Sequence, residues 1–293
     1  MLIGFASCFS DWHTEVEICD YLEKAGHEVH RYHYPNMDYE KFLTKKFDLV
    51  ITSLPQLFPP GFWERVKSPK IAWYFDWIQG FASREPQYLE ALKPFDLTIS
   101  TDGWIDMYEK NGIERRWLPH ACDLRTYHPL TKTPGVAVGF IGHVYTPERQ
   151  GLLNSLKRYD FRHYGNREEC WGPKYSQVCN SVKIMVGDNF RNDIQCYWSD
   201  RLYLSLGCGA FLMYPRVPGI EKFFKDGEHL ILFDNVRDLH RKIDHYLKRP
   251  SERERISKNG AEEVRKNHNW GVRIGEFEDI LRSYPRLAPL LDR

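Results

Sequence analysis

Ser199-Asp200-Arg201-Leu202-Tyr203-Leu204-Ser205-Leu206-Gly207-Cys208-Gly209-Ala210-Phe211-Leu212-Met213-Tyr214 is the stretch whose reading decides the fold. Ser199 or Asp200 can cap a helix over 200–206, Gly207 and Gly209 break it, and 210–214 reads as a buried strand. The order is therefore helix, glycines, strand. A dinucleotide fingerprint needs strand, glycines, helix, so these glycines are read as allowing close helix–strand approach.

The alternation continues in both directions. Strands are predicted over 136–141, 161–164 and 182–186, with a helix over 147–159. Downstream come a short helix over 219–225, a strand over 229–233, and mainly helix from Asn235, broken at Pro250 and near Asn269. The first third repeats the theme, with strands at 2–6, 28–32, 48–52, 70–75, 96–100 and 116–119. Its clearest helices are 14–24, with Val16, Ile18, Cys19 and Leu22 inward and Gly26 at its end, and 102–111, ended by Gly112. Strand–helix alternation of this kind predicts parallel sheets covered on both faces.

Thr131-Lys132-Thr133-Pro134-Gly135 is polar and carries both backbone punctuators, so the linker is placed there. The expected domains are 1–130 and 135–270, followed by a helical tail over 271–293. A length of 293 residues agrees with two domains.

Lys+Arg is 41 against Asp+Glu 40, so no global field draws in a polyanion or a membrane surface. Hydrophobic residues at 42% exclude disorder. The chain contains no Gly-Lys, H-E-x-x-H, G-x-S-x-G or D-x-D, which argues against P-loop, zincin, hydrolase-elbow and metal-bound nucleotide-sugar chemistry. The seven cysteines form no C-x-x-C pair, Met1–Ala6 has no basic leader pattern, no apolar run nears ~20 residues, and no N-x-Ser/Thr sequon occurs. These features predict a cytoplasmic protein. His27, His30 and His33 are spaced by three, but strand geometry puts His30 on the opposite face, so no metal site is expected.

Beyond the quoted stretch the chain continues Val217-Pro218-Gly219-Ile220-Glu221-Lys222-Phe223-Phe224, then Asp226-Gly227-Glu228-His229-Leu230-Ile231-Leu232-Phe233. From Tyr197 onward this resembles the C-terminal half of GT-B glycosyltransferases, particularly the spore-maturation-protein-type group. That group reads approximately R-x-[FY]-E-x-L-[GA]-x-G-[GA]-F-L, then G-[LI]-E-x-x-F-x-D-G-E-H-L-[VI]. Gly139-Phe140-Ile141-Gly142 with Arg149, and Tyr164-Gly165, resemble the opening of its second domain. The likeness is best over 136–270. The first half agrees mainly in pattern, with Trp73-Tyr74-Phe75-Asp76 and Leu118-Pro119-His120-Ala121-Cys122-Asp123 as its better pieces.

The resemblance implies two Rossmann-like domains facing each other across a cleft, and a C-terminal helix crossing back to the first. It also implies a hexosyltransferase-like enzyme with a nucleotide diphosphate sugar, UDP-sugar foremost, as donor, and no tightly bound cofactor. The donor residues expected are Gly142, Arg149, Ser199, Arg201, Gly219 and Glu221. Arg201 offers a charge-assisted fork to a diphosphate, and the helix after Ser199 offers free N–H groups. One departure stands out. Leu204 occupies the position of a Glu that holds ribose hydroxyls in the group, and Cys196, eight residues earlier, is not a carboxylate, so the retaining or inverting outcome is not inherited.

On the acceptor side, loops leaving the strands of the first domain carry Asp11 and His13, then Asp76, then Asp102. Asp76, Asp11 and His13 are the expected catalytic residues, as base for an acceptor hydroxyl or as stabilisers of the transition state. His120 and Asp123 are further candidates. The acceptor remains open among a glycan, a lipid-linked sugar, a protein and a hydroxymethylated DNA base. For DNA, a groove from Arg31, Lys45, Lys46, Lys67, Lys70, Arg115 and Arg116 would be needed. The rival class is a non-catalytic nucleotide- or glycan-binding protein on the same scaffold.

Overall fold

The alternation folds into two separate parallel sheets in the computed structural model, which describes all residues except Trp12, 76–84, Trp104, Pro134, 166–169 and Arg293. The chain divides into two units, Met1–Pro119 with Trp270–Arg293, and His120–Asn269.

The first unit runs β1 (Leu2–Ser7), α1 (Thr14–Lys24), β2 (Glu28–His33), α2 (Tyr39–Thr44), β3 (Leu49–Thr52), α3 (Phe62–Arg65), β4 (Lys70–Tyr74), α4 (Glu85–Leu92), β5 (Leu97–Ser100), α5 (Ile105–Lys110) and β6 (Arg115–Trp117). Its sheet order is β2-β1-β3-β4-β5-β6, with every pairing parallel. α1 buries Ile18, Cys19 and Leu22, the face its periodicity predicts. Rings dominate the core, Phe42, Phe47, Phe58, Phe62 and Trp63 among them.

The second unit runs β7 (Val136–Ile141), α6 (Pro147–Leu156), β8 (Phe161–Tyr164), α7 (Pro173–Ser181), β9 (Val182–Val186), α8 (Arg201–Gly207), β10 (Leu212–Pro215), β11 (Ile231–Phe233), α9 (Val236–Leu247) and α10 (Pro250–Asn267). Its order is β11-β10-β9-β7-β8, again parallel. α10 lies tight against its neighbours at Gly260, where a Cβ would come within 2.3 Å of the His229 carbonyl oxygen.

The last helix, α11 (Trp270–Arg282), belongs to the first unit. Phe277 stacks on Trp73 at 4.9 Å, Trp270 Nε1 donates to Glu17 Oε2 at 2.7 Å, and His27 meets Glu278 at 3.0 Å.

Three readings change. The helix read over 219–225 is only a one-turn 3-10 segment, Ile220–Lys222, because Gly219 enters it at φ 90. α7 lies where no element was read, although Pro173 after Gly172 and the buried Tyr175, Val178 and Cys179 carry a helix signal. The linker boundary also moves. Residues 120–134 belong with the second unit, held there by Cys122 N–H to His268 O and Thr133 N–H to Asn180 O, both 3.0 Å.

Candidate active site

In each sheet the strand order reverses beside the first strand of the unit. β1 separates β2 from β3, and β7 separates β8 from β9. Doubly wound sheets take ligands outside the carboxyl ends of the strands at such a reversal. Asp11 and His13 follow β1 at the first of these points, and Gly142 follows β7 at the second.

On the second unit, β7 ends at Ile141 and Gly142 follows with φ 140. A Cβ on Gly142 would stand 3.4 Å from both Cζ and Nε of Arg201. Only glycine suits that conformation and leaves room for the guanidinium. Gly165, after β8, packs on the Gly142 backbone, and His163 Nε2 lies 2.7 Å from the Gly142 carbonyl oxygen. Gly142, His143, Gly165, Tyr175 and Arg201 share the wall of a small cavity of about 40 Å³.

Arg201 is half-buried, and among the described residues its guanidinium has no hydrogen-bond partner and no ion pair; only its backbone N–H is bonded. Burial opposes its charge, but Asp200 and the phenols of Tyr175, Tyr214 and Tyr197 outweigh that and hold its pKa above the ordinary value. Asp200 is also half-buried. Burial pushes its carboxyl up, yet Arg201, His120 and the bonds from Ser199 and the Arg201 N–H keep it below the usual carboxylate range. Both groups stay charged, and the guanidinium is left open.

The helix end itself is taken. Asp200 stands at the cap of α8 and accepts from the Arg201 N–H at 2.7 Å, while Ser199 Oγ donates to Asp200 at 2.7 Å. A carboxylate there repels a phosphate, so the free cation lies in the Arg201 side chain and not in the helix terminus.

Arg149, expected to reach the donor, is engaged within the protein. It is 2% exposed, donates from Nε to Asp188 at 2.9 Å and from Nη1 to the His143 carbonyl at 2.8 Å. It ties the loop after β7 to the loop after β9. Gly219 presents no helix end to a ligand, because a Cβ there would meet Cys196 Sγ at 2.7 Å in a packed turn. Glu221 is exposed and pairs with Arg216, which also holds Asp226 and Asp234, each at 2.8 Å. Sequence reasoning missed Arg216. Its signal was its place directly after a strand, at the carboxyl rim. Arg149, Asp188, Asn189, Arg216 and Asp234 line a depression of about 740 Å³ on that rim. Leu204 is buried inside α8 and offers no polar group.

On the first unit, Asp11 and His13 are exposed in the loop after β1. His13 occupies the cap position of α1 but its side chain bonds no helix N–H. Asp76 lies outside the described residues. Asp102 is fully buried and accepts from Tyr108 at 3.0 Å. Asp123 is held in a turn by Arg125 and Thr126. Of the cations of the DNA reading, Lys45, Lys46 and Lys67 share the wall of a depression of about 200 Å³, and the arginines are engaged elsewhere. Arg31 pairs with Asp20 and Glu23, Arg116 with Glu114, and Arg115 is buried on Ser100. His27, His30 and His33 make separate contacts, with Glu278, Glu28 and the Phe9 N–H.

Residues 136–279 match the family described as glycosyl transferase-like. No curated protein sequence matches the chain. Among solved structures, the HepE protein of Anabaena in complex with UDP-glucose aligns with TM-score 0.70 at 11% identity, covering 97% of this chain and 100% of that one. An alpha-glucosyltransferase in complex with UDP-glucose and DNA containing an abasic site aligns with TM-score 0.70 at 13% identity, covering 95% and 98%. The sucrose-phosphate synthase of Thermosynechococcus elongatus aligns with TM-score 0.65 at 13% identity, covering 96% and 98%. Among the described residues no helix is long and apolar enough to cross a membrane. Over 136–279 the chain matches the glycosyl transferase-like family, and over nearly all of its length it has the fold of these three solved structures.

Proposed function

We propose that the chain moves a sugar from a nucleoside diphosphate sugar, held on the second unit, to a hydroxyl of an acceptor held on the first. The observation that carries this is Arg201, a charged, half-buried guanidinium with no partner among the described residues, set against Gly142, whose missing side chain leaves it room. A diphosphate satisfies that fork, and the same unit carries a depression of about 740 Å³, lined by Arg149 and Arg216 and of a size to take a nucleotide sugar. In the reaction the acceptor hydroxyl gives its proton to a base, with Asp11, His13 and Asp76 as candidates. Its oxygen bonds to the anomeric carbon as the bond from that carbon to the β-phosphate oxygen breaks. The diphosphate leaves with the electron pair, and Arg201 balances its growing charge. UDP-glucose is the donor to test first, since the Anabaena protein and the alpha-glucosyltransferase were both captured with it.

Charge supports the division of labour. The second unit holds 24 Lys+Arg against 18 Asp+Glu, and the first 17 against 22. An anionic donor suits the basic unit. The acidic unit disfavours a polyanion such as DNA and favours a neutral hydroxyl compound such as a glycan, with Asp11, His13 and Asp76 as the candidate groups around it. A thermal-unfolding screen of UDP, GDP and TDP sugars tests the reading. One donor at a hundredfold excess over its Kd adds about 2.7 kcal/mol of stability. No shift with any of them would sink it, and a shift without turnover on any acceptor would leave a binding protein instead.

A further inference from the structure

Glu15 is a carboxylate that the sequence reading passed over. It lies in the first turn of α1, is only 8% exposed, and points to the reversal between β1 and β3. Ser53, just past the end of β3, donates to Glu15 Oε1 at 2.5 Å, and Ser7, the last residue of β1, stands 3.5 Å from the same oxygen. The two hydroxyls are themselves 2.5 Å apart. Oε2 has no hydrogen bond among the described residues, and no Lys, Arg or His pairs with the carboxylate there. The α1 terminus favours the charge, Ser53 donates to Oε1, and the Ser7 hydroxyl lies closer to Ser53 than to the carboxylate, so Oε2 is left without a partner among the described residues. Buried carboxylates are ordinarily matched by a cation. This one instead leaves an oxygen unused at the place where an open α/β sheet takes its ligand.

We infer that Glu15 anchors the acceptor, accepting a hydrogen bond at Oε2 from the hydroxyl group that is to be glycosylated or from its neighbour on the same molecule. Ser7 and Ser53 hold Oε1 and so fix the direction in which Oε2 is offered. Asp11 and His13, on the exposed loop nearby, have no such support. The inference rests on the glycosyltransferase reading for the word acceptor, while the unmatched carboxylate stands without it.

The test uses Glu15→Gln, which keeps size and the bond from Ser53 but removes the charge. Two quantities are read on the full chain: the urea midpoint, and hydrolysis of UDP-glucose with water as the acceptor. The expected result is an unchanged midpoint, since the bond from Ser53 to Oε1 is kept and Oε2 has no partner to lose. Hydrolytic kcat should fall roughly 10- to 100-fold, the effect of one hydrogen bond to a charged group, with the donor KM unchanged. A lowered midpoint would make Glu15 a structural residue, and an unchanged kcat would remove it from the acceptor site. Either overturns the inference. If the wild-type chain neither binds nor hydrolyses nucleotide sugars, the glycosyltransferase reading fails. The midpoint then still decides whether the fold depends on the carboxylate.

Discussion

Arg149 and Arg201 lie on the same rim and do opposite work. Arg149 is closed on Asp188 and the His143 carbonyl; Arg201 is open. Removing Arg149 strands Asp188 as a buried charge, so Arg149→Ala is expected to lower stability by about 3–5 kcal/mol in urea unfolding. Stability unchanged within error would contradict the pairing. Gly142→Ala is the complementary change. It strains a backbone at φ 140 and pushes a methyl to 3.4 Å from Arg201, so donor affinity should fall at least as much as stability does. Arg201 was legible in the sequence because it follows a capping residue at the head of an apolar helix. Glu15 was not, because an acidic residue in a first helical turn ordinarily answers the helix dipole. Its burial is made by Ser7 and Ser53, 8 and 38 residues away in the chain. Arg149 failed for the same reason, since Asp188 is 39 residues distant.

At the scale of elements, apolar patterning set the bounds of regular segments, the short strands β8 and β9 included, and failed where a glycine turns the chain. α1 and β7 have the bounds their patterns predict, whereas the helix read over 219–225 contracted to one turn because a glycine at positive φ and the packing of Cys196 decide its path. α11 tests packing directly. Phe277 is fully buried against Trp73, so Phe277→Ala should cost about 3–5 kcal/mol, read from chemical unfolding. The same helix sets a pH dependence. Burial holds the His27 pKa below its ordinary value despite the bond to Glu278. The unfolded chain therefore takes up a proton first as pH falls, and stability declines below about pH 6.5. The decline should be shallower in His27→Gln; an identical profile would show that His27 contributes nothing to it.

For the whole molecule, the near-neutral total conceals an acidic unit and a basic one, which composition alone did not reveal because the first unit is assembled from both ends of the chain. A chain ending at Asn269 lacks α11 and uncovers Trp73, so its first unit should bind an apolar dye and lose hydrogen-exchange protection. Full protection there would contradict the packing of α11. The central claim, that a nucleotide sugar is held through Arg201, is tested most directly by calorimetric titration of UDP-glucose into the wild-type chain and Arg201→Ala. The account predicts saturable binding by the wild type and affinity at least tenfold weaker in the variant, with the urea midpoint little changed. Equal affinity in the two proteins would contradict it.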